Sequence, residues 1–196
     1  MTTTQTNPIR IAIVVGSTRP GRKAREVADW VHQLAGSRED ATFDVVDLAE
    51  VDLPMLDEPV PPSMGDYQQP HTRSWAATVD SYDGFVFVTP EYNHSTSAAL
   101  KNALDYLYAE WNNKAAGFVG YGADGGTRAV EHLRLVMGEL QVADVRSQVS
   151  LSLFADFEQM TSFTPREHQP QAVAAMLDQV VSWSQVLAGL REEAAS

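Results

Sequence analysis

The sequence predicts a single α/β domain in which helices cover both faces of a doubly wound, five-stranded parallel sheet. Three observations support this: short runs of β-branched or apolar residues, amphipathic helical patterns that follow them, and glycine-containing turns between the two. A chain of 196 residues that is 44% hydrophobic suits one continuous core rather than two. We place the domain at residues 9–190, with an N-terminal tail at 1–8 and a C-terminal tail at 191–196.

Five βα units follow one another along the chain. Apolar runs predict the strands, and apolar side chains spaced three and four residues apart predict the helices. The predicted strands are 9–15, 42–48, 84–89, 114–121 and a segment within 142–153. The predicted helices are 22–36, 71–80, 100–107, 130–140 and 173–184. The strand 84–89 is the most apolar and is expected at the centre of the sheet, whereas residues 153–169 are expected to form a long surface loop.

The net charge of -12 and the absence of cysteine exclude several classes of function. Nucleic acids and anionic lipids are bound by clustered lysine and arginine, so we expect neither a nucleic-acid nor a membrane partner. Without cysteine, redox chemistry needs a bound cofactor. The polar N-terminus lacks the features of a signal peptide, and no later segment is expected to reach the apolar length of a bilayer span. The expectation is a cytoplasmic protein.

The loop after the first predicted strand is rich in groups that bind anions. It reads GSTRPGRK over residues 16–23 and leads directly into a helix, whose first amide groups favour an anion. It is neither a Walker A loop nor a GxGxxG fingerprint, so a terminal monophosphate is the best candidate ligand. Ser17 and Arg19 lie nearest the strand end. The alternative, that these are ordinary turn and cap residues, has equal weight for this segment alone.

The loop after the third predicted strand, TPEYNHS over residues 89–95, combines an aromatic ring, an amide and backbone donors on one turn. Such a turn can hold a flat heteroaromatic ring and bind its edge. The alternative makes Pro90 and Asn93 simple turn residues and Tyr92 a half-buried ring. His94 is expected to be an exposed loop residue.

The segment TPEYNHSTSAALKNALDYL resembles the TPEYN-x-S-x-x-x-x-LKNALDW signature of the NADPH-dependent FMN reductase family. The resemblance extends to VDLPMLDEP at 51–59 and to two glycine pairs around 120–126, and it covers the chain from Ile9 to about Leu140. It implies a flavodoxin-like fold with strand order 2-1-3-4-5. It also implies FMN as cofactor, NADPH or NADH as cosubstrate, and a homodimer or homotetramer.

By the same resemblance, the loop after the first strand binds the FMN phosphate, the PEYN turn contacts the flavin, and the loop after the fourth strand lines the flavin's other edge. The implied cofactor-binding residues are Gly16, Ser17, Arg19, Arg22, Lys23, Ala24, Pro90, Glu91, Tyr92, Asn93, Tyr121, Gly122 and Gly126. Two residues depart from the family pattern: Ser97 stands where proline is common, and Ala24 where a small polar residue or glycine is common.

The implied reaction passes hydride from the nicotinamide to FMN and then reduces a small acceptor: a quinone, an azo compound, a metal oxyanion or free flavin. Because the cofactor does this chemistry, no catalytic acid or base is expected, and the scattered histidines and carboxylates predict no metal site. One alternative is a flavodoxin-like electron carrier that does not use nicotinamide. Another is a hydrolase with Ser17 as nucleophile, although the Gly-x-Ser-x-Gly motif is absent.

Overall fold

The computed structural model describes residues 8–194. Residues 1–7 of the predicted N-terminal tail and the last two residues of the predicted C-terminal tail lie outside the described residues. The last helix continues to Ala194, past the expected domain end at residue 190. Arg191, in that helix, forms an ion pair with Asp83 and donates to the carbonyl of Asn113 at 2.8 Å, so this part of the chain packs on the domain.

The five predicted strands form one parallel sheet in the predicted order β2-β1-β3-β4-β5, and the fold prediction is confirmed. The strands are β1 (Ile9–Val15), β2 (Ala41–Asp47), β3 (Gly84–Pro90), β4 (Ala115–Gly122) and β5 (Ala143–Ser152). Every residue of β3 and β4 is buried, which explains why these two runs are the most continuously apolar or small in the sequence.

Helices cover both faces of the sheet. They are α1 (Ala24–Ala35), α2 (Leu48–Val51), α3 (Pro70–Asp80), α4 (Ala98–Asp105), α5 (Thr127–Glu139) and α6 (Gln169–Ala194). The buried residues of α1 and α6 join one hydrophobic cluster, and those of α2 to α5 join a second cluster on the opposite face. The helix α2 is too short for a periodic pattern to reveal, and the sequence did not predict it.

The last helix packs closely against the sheet and shows that one sequence prediction is wrong. A Cβ added to Gly117 on β4 would lie 2.8 Å from a side-chain methyl of Val180, so glycine permits this approach. By length and composition alone, Gln169–Arg191 is apolar enough to cross a membrane, contrary to the prediction that no segment is. In this fold one side of the helix lies in the core, with Val173, Leu177 and Val180 at most 2% exposed.

The segment expected to be a plain surface loop carries its own structure. A short antiparallel hairpin forms from β6 (Phe157–Glu158) and β7 (Ser162–Phe163). The carboxylate of Asp156 is buried and accepts hydrogen bonds from the side chains of Arg166 and Gln169 and from the amide of Ser152, which fixes the segment against β5. Hydrogen bonds of this kind hold the pKa of Asp156 below its ordinary value, although burial alone would raise it.

The tryptophans differ in how deeply they are buried. Trp75 and Trp111 are 2% and 1% exposed and pack edge to face at 6.1 Å between ring centroids. The Trp111 ring is therefore enclosed by its own domain and is not exposed to a second subunit. Trp183 on α6 is 46% exposed.

Candidate functional site

The carboxyl ends of β1, β3 and β4 lie side by side because these strands are neighbours in the sheet. Backbone bonds continue past the strands: the amide of Gly16 donates to the carbonyl of Val88 at 2.8 Å, and the amide of Glu91 to that of Tyr121 at 2.9 Å. The chain leaves β1 for β2 on one side and reaches β3 on the other, so this edge is the topological switch point where ligands bind in open α/β sheets.

The loop after β1 starts with a close backbone approach. A Cβ on Gly16 would lie 2.7 Å from the carbonyl oxygen of Val88, so only glycine fits there without movement. Ser17 is 1% exposed, and its hydroxyl lies 3.0 Å from the Tyr92 hydroxyl, within hydrogen-bonding distance. The guanidinium carbon of Arg19 lies 5.9 Å from the centre of the Tyr92 ring. Two of the predicted loops therefore meet through these three side chains.

The side chain of Arg22, expected at the phosphate, is engaged elsewhere. Its Nη2 donates to the carboxylate of Asp47 at 2.6 Å, and Arg25 approaches the same carboxylate at 3.5 Å. Asp47, at the end of β2, is 3% exposed and also accepts from the amide of Ala49 at 3.0 Å. The Nε of Arg22 is buried without a hydrogen-bond partner. Asp47 thus anchors the loop, and one donor of Arg22 remains available.

The first turn of α1 also keeps spare donors. Lys23 precedes the helix and makes no side-chain capping bond, and Ala24, its first residue, is buried. Amide groups at such a start have no partner within the helix and favour an anion.

The turn after β3 has a constrained backbone. Tyr92 and Ser95 exchange backbone hydrogen bonds of 2.9 and 3.1 Å, and the two residues between them take positive φ angles, 49° at Asn93 and 76° at His94. Such angles are uncommon for residues other than glycine and persist where the surroundings hold them. Asn93 and His94 are both exposed at the tip of this turn.

Glu91, expected beside the flavin, directs its carboxylate to α5 instead. It is 6% exposed in its side chain and accepts from Arg128 Nε at 2.6 Å and from the amide of Arg128 at 3.2 Å. Arg128 also pairs with Asp124 at 2.7 Å. Glu91 therefore joins the turn after β3 to the start of α5.

The loop after β4 needs its glycines for close packing. Gly126 has a φ of 71°, and a Cβ there would lie 2.5 Å from the amide nitrogen of Tyr121. A Cβ on Gly122 would lie 3.1 Å from the Cβ of Glu91. The loop can thus lie flat against the turn after β3, with Pro90 paired to Tyr121 in the sheet register.

The side chain of Tyr121, expected at the edge of the flavin, lies in the core. The residue is 6% exposed, and its ring centroid is 6.2 Å from that of Phe157. Burial, with the added effect of Tyr92, raises the pKa of its hydroxyl, whereas Arg19 and the Ser17 hydroxyl act to lower it. The ring therefore packs in the hydrophobic cluster on the face of the sheet that carries α1 and α6.

Residues of the LKNALDY segment have a role that sequence reasoning missed. Asn102 on α4 accepts from the amide of Leu56 at 2.9 Å and donates to the carbonyl of Pro54 at 2.7 Å. The hydroxyl of Tyr106 donates to the Asp57 carboxylate at 3.0 Å. The LKNALDY segment and the VDLPMLDEP segment are therefore joined by hydrogen bonds. Their joint presence was the only signal in the sequence for this contact.

Ser97, which replaces the common proline, links two parts of the site. Its hydroxyl accepts from the amide of Leu100 at 3.1 Å, capping α4, and donates to the carbonyl of Gly16. The substitution thus adds a bond between the start of α4 and the loop after β1.

These residues fit FMN on two structural grounds. The buried, unpartnered Nε of Arg22 and the uncapped start of α1 supply donors for a phosphate. Gly122 packs against Glu91 and Gly126 against the backbone of Gly120 and Tyr121, which places the backbone of the loop after β4 close to the turn after β3, where its polar groups can bind the edge of a flat ring. Within residues 8–194 no three His, Asp or Glu side chains cluster as a metal ion requires.

Comparison with known proteins agrees with this geometry. The family described as NADPH-dependent FMN reductase matches residues 9–156. An NAD(P)H-dependent FMN reductase of Nectria sp is 39% identical over 147 residues, covering 70% of this chain and 73% of that protein. A 2-hydroxy-1,4-benzoquinone reductase of Burkholderia sp is 33% identical over 144 residues, covering 68% and 73%.

Among solved structures, the flavoenzyme NAD(P)H:(acceptor) oxidoreductase from Paracoccus denitrificans superposes with a TM-score of 0.70 at 21% identity, covering 90% of this chain and 97% of that one. At 21% sequence identity the structural similarity shows only the flavodoxin-like fold. Family membership is shown by the family match and by the relatives of higher sequence identity. The chain therefore belongs to the NADPH-dependent FMN reductase family, oxidoreductases that use FMN with NAD(P)H as cosubstrate.

Proposed function

We propose that this protein is an NAD(P)H:quinone reductase in which FMN binds across the three loops at the carboxyl edge of β1, β3 and β4. The observation that carries the proposal is the meeting of Ser17, Arg19 and Tyr92 above the sheet, next to the glycine-lined loop after β4. Bound FMN supplies the redox chemistry, taking hydride from the nicotinamide and reducing the acceptor. The protein binds and orients the rings.

The roles of the loops divide between the two ends of the cofactor. Ser17, Arg19, Arg22 Nε and the first amides of α1 hold the phosphate, since charged and amide donors favour a dianion. The backbone of residues 90–93 and of 122–126 flanks the isoalloxazine. The ion pair between Glu91 and Arg128 keeps these two loops in register, which serves the alignment that hydride transfer needs.

A neutral acceptor suits the charges at this edge better than an anion does. The chain carries a net charge of -12, which repels metal oxyanions. Arg128 is paired with both Glu91 and Asp124, and Arg19 and Arg22 would be engaged by the FMN phosphate, so these cations do not offer an oxyanion a free binding site. The Burkholderia relative named for a benzoquinone substrate supports the same choice.

The test is to purify the protein, load it with FMN, and mix it with NADPH or NADH in a stopped-flow instrument. We expect the flavin absorbance to bleach and a benzoquinone to restore it, with higher kcat/KM for the quinone than for chromate. A flavin that stays oxidised with both nicotinamides would indicate an electron carrier instead. Chromate reduced faster than quinone would overturn the acceptor assignment.

The proposal includes assembly into two or four copies. Large apolar side chains are exposed between α2 and α3: Met55 is 75%, Leu56 40% and Met64 70% exposed. Burial of such side chains against a second copy would stabilise an oligomer. Light scattering after gel filtration should give twice or four times the chain mass, and a monomer at micromolar concentration would contradict the proposal.

A further inference from the structure

Tyr92 has contacts that differ from those expected of a residue that lines a flavin ring. Its hydroxyl lies 3.0 Å from the Ser17 hydroxyl, and its ring lies beneath the Arg19 guanidinium at 5.9 Å. Both contacts are with the loop after β1, which belongs to a different part of the chain, 75 residues away for Ser17. The side chain of Tyr92 thus reaches the group of donors assigned to the phosphate.

The backbone of the turn explains how it does so. The positive φ angles of Asn93 and His94 reverse the chain, and the paired backbone bonds between Tyr92 and Ser95 close the turn. Tyr92 follows directly after Glu91, whose side chain is fixed to Arg128. The position of the Tyr92 ring is therefore set from both sides, and its hydroxyl is held where two loops meet.

The chemistry of the two hydroxyls favours a shared ligand. When Ser17 and Tyr92 bond to each other, one hydroxyl donates and the other keeps its proton available. A phosphate presents several strong acceptor oxygens, so it can accept from both hydroxyls in place of their mutual bond. Arg19, beside the same ring, supplies a compensating positive charge.

We propose that the Tyr92 hydroxyl is a ligand of the FMN phosphate, acting with Ser17 and Arg19, and that the Tyr92 ring is not the platform for the isoalloxazine. The proposal rests on the proposed FMN site, and it assigns the PEYN turn two functions. Its backbone meets the flavin, and its tyrosine closes the phosphate cradle.

Riboflavin, which has the ring and ribityl chain of FMN but lacks the phosphate, separates the two roles. For Tyr92→Phe we expect the Kd of FMN, measured by fluorescence quenching, to rise about tenfold, as for the loss of one hydrogen bond to a charged group. The Kd of riboflavin should stay unchanged. Ser17→Ala should show the same selectivity, and the double variant should lose less than the product of the two single effects because both residues serve one ligand.

Tyr82→Phe is the control, since Tyr82 is also a tyrosine beside an arginine, Arg10, but lies at the opposite end of the sheet and is buried, 8% exposed, whereas Tyr92 is partly buried. It should leave both dissociation constants unchanged. Equal losses of FMN and riboflavin affinity in Tyr92→Phe would place the side chain at the ring and overturn the proposal, as would unchanged FMN affinity in Tyr92→Phe, whatever the result for Ser17→Ala. If the wild-type protein binds neither compound, the FMN site itself fails.

Discussion

The two ends of the parallel sheet differ in whether their charged side chains have partners within the protein. At the amino end, Lys114 is 1% exposed and donates to the carbonyl of Val79 at 2.8 Å, while Arg191 pairs with Asp83. At the carboxyl end, Arg22 has a buried Nε without a partner, and within residues 8–194 Arg19 forms no ion pair. Charges at the amino end are satisfied by the protein itself, whereas the carboxyl end keeps donors in excess.

This difference distinguishes the amino end, whose charged groups stabilise the fold, from the carboxyl end, whose unpartnered donors can bind a ligand. A buried charge needs a partner, so a buried arginine nitrogen left without one at the carboxyl edge points to a ligand. Substitutions at the amino end should therefore change the free energy of unfolding and leave cofactor affinity intact. Substitutions of the exposed or unpartnered donors at the carboxyl end should do the reverse, whereas those that strain the backbone or remove a helix cap there should also change stability.

The largest expected effect is on the pH dependence of the free energy of unfolding, and it comes from Lys114. Burial lowers the pKa of its amine to about 8 from the ordinary value of 10.5. Between these pH values the unfolded chain holds a proton that the folded chain has released, so the free energy of unfolding should increase as pH rises from 8 to 10. The expected contribution is about 2 to 3 kcal/mol, measured as the difference between wild type and Lys114→Met in urea unfolding at each pH.

The control for this measurement is Lys101→Met, because Lys101 is an exposed lysine on α4 paired with Asp105. It should follow the wild-type pH dependence. A parallel response of wild type and Lys114→Met between pH 8 and 10 would mean that the buried amine does not titrate there. FMN affinity should be the same in all three proteins, since Lys114 lies at the amino end.

The next effect tests the backbone of the carboxyl end. Gly126→Ala should lower the free energy of unfolding by about 2 kcal/mol, because alanine is strained at positive φ and its Cβ would press on the amide of Tyr121. Gly65→Ala is matched in conformation, with φ of 69°, but has no atom within 4 Å of the added Cβ. It should cost about half as much, again by urea unfolding. Equal losses would show that the loop after β4 relaxes freely.

A smaller effect, confined to binding, is expected at Arg19. Arg19→Ala should weaken FMN about tenfold through loss of a charge-assisted contact, while the free energy of unfolding changes little because the side chain is exposed. Isothermal titration with FMN and urea unfolding measure the two quantities. Unchanged FMN affinity would show that the loop after β1 is misassigned.

What the sequence could and could not predict depends on how far apart along the chain the interacting residues lie. The strands, helices and loop positions were predictable because apolar runs and helical patterns are local features, whereas the strand order came from the resemblance carried by the PEYN and LKNALD motifs. The partners of Arg22 and Glu91 were not, since Asp47 and Arg128 lie 25 and 37 residues away and any of several carboxylates or arginines could have paired. The core position of the Tyr121 ring was visible in the sequence, because strand alternation puts Tyr121 on the same face as Val119. The family resemblance instead implied a role at the flavin.

The smallest expected effect compares Ser97→Ala with Ser97→Pro. Alanine removes both the cap of α4 and the bond to Gly16, and it should lower the free energy of unfolding by about 1 kcal/mol. Proline loses the same bonds, but the φ of -69° at this residue already suits its ring, and it reduces the entropy of the unfolded chain. Ser97→Pro should therefore be more stable than Ser97→Ala by about 0.5 kcal/mol in urea unfolding. If proline were the less stable of the two, its ring would have to clash with the turn after β3, and proline at this position in relatives would then require a different turn.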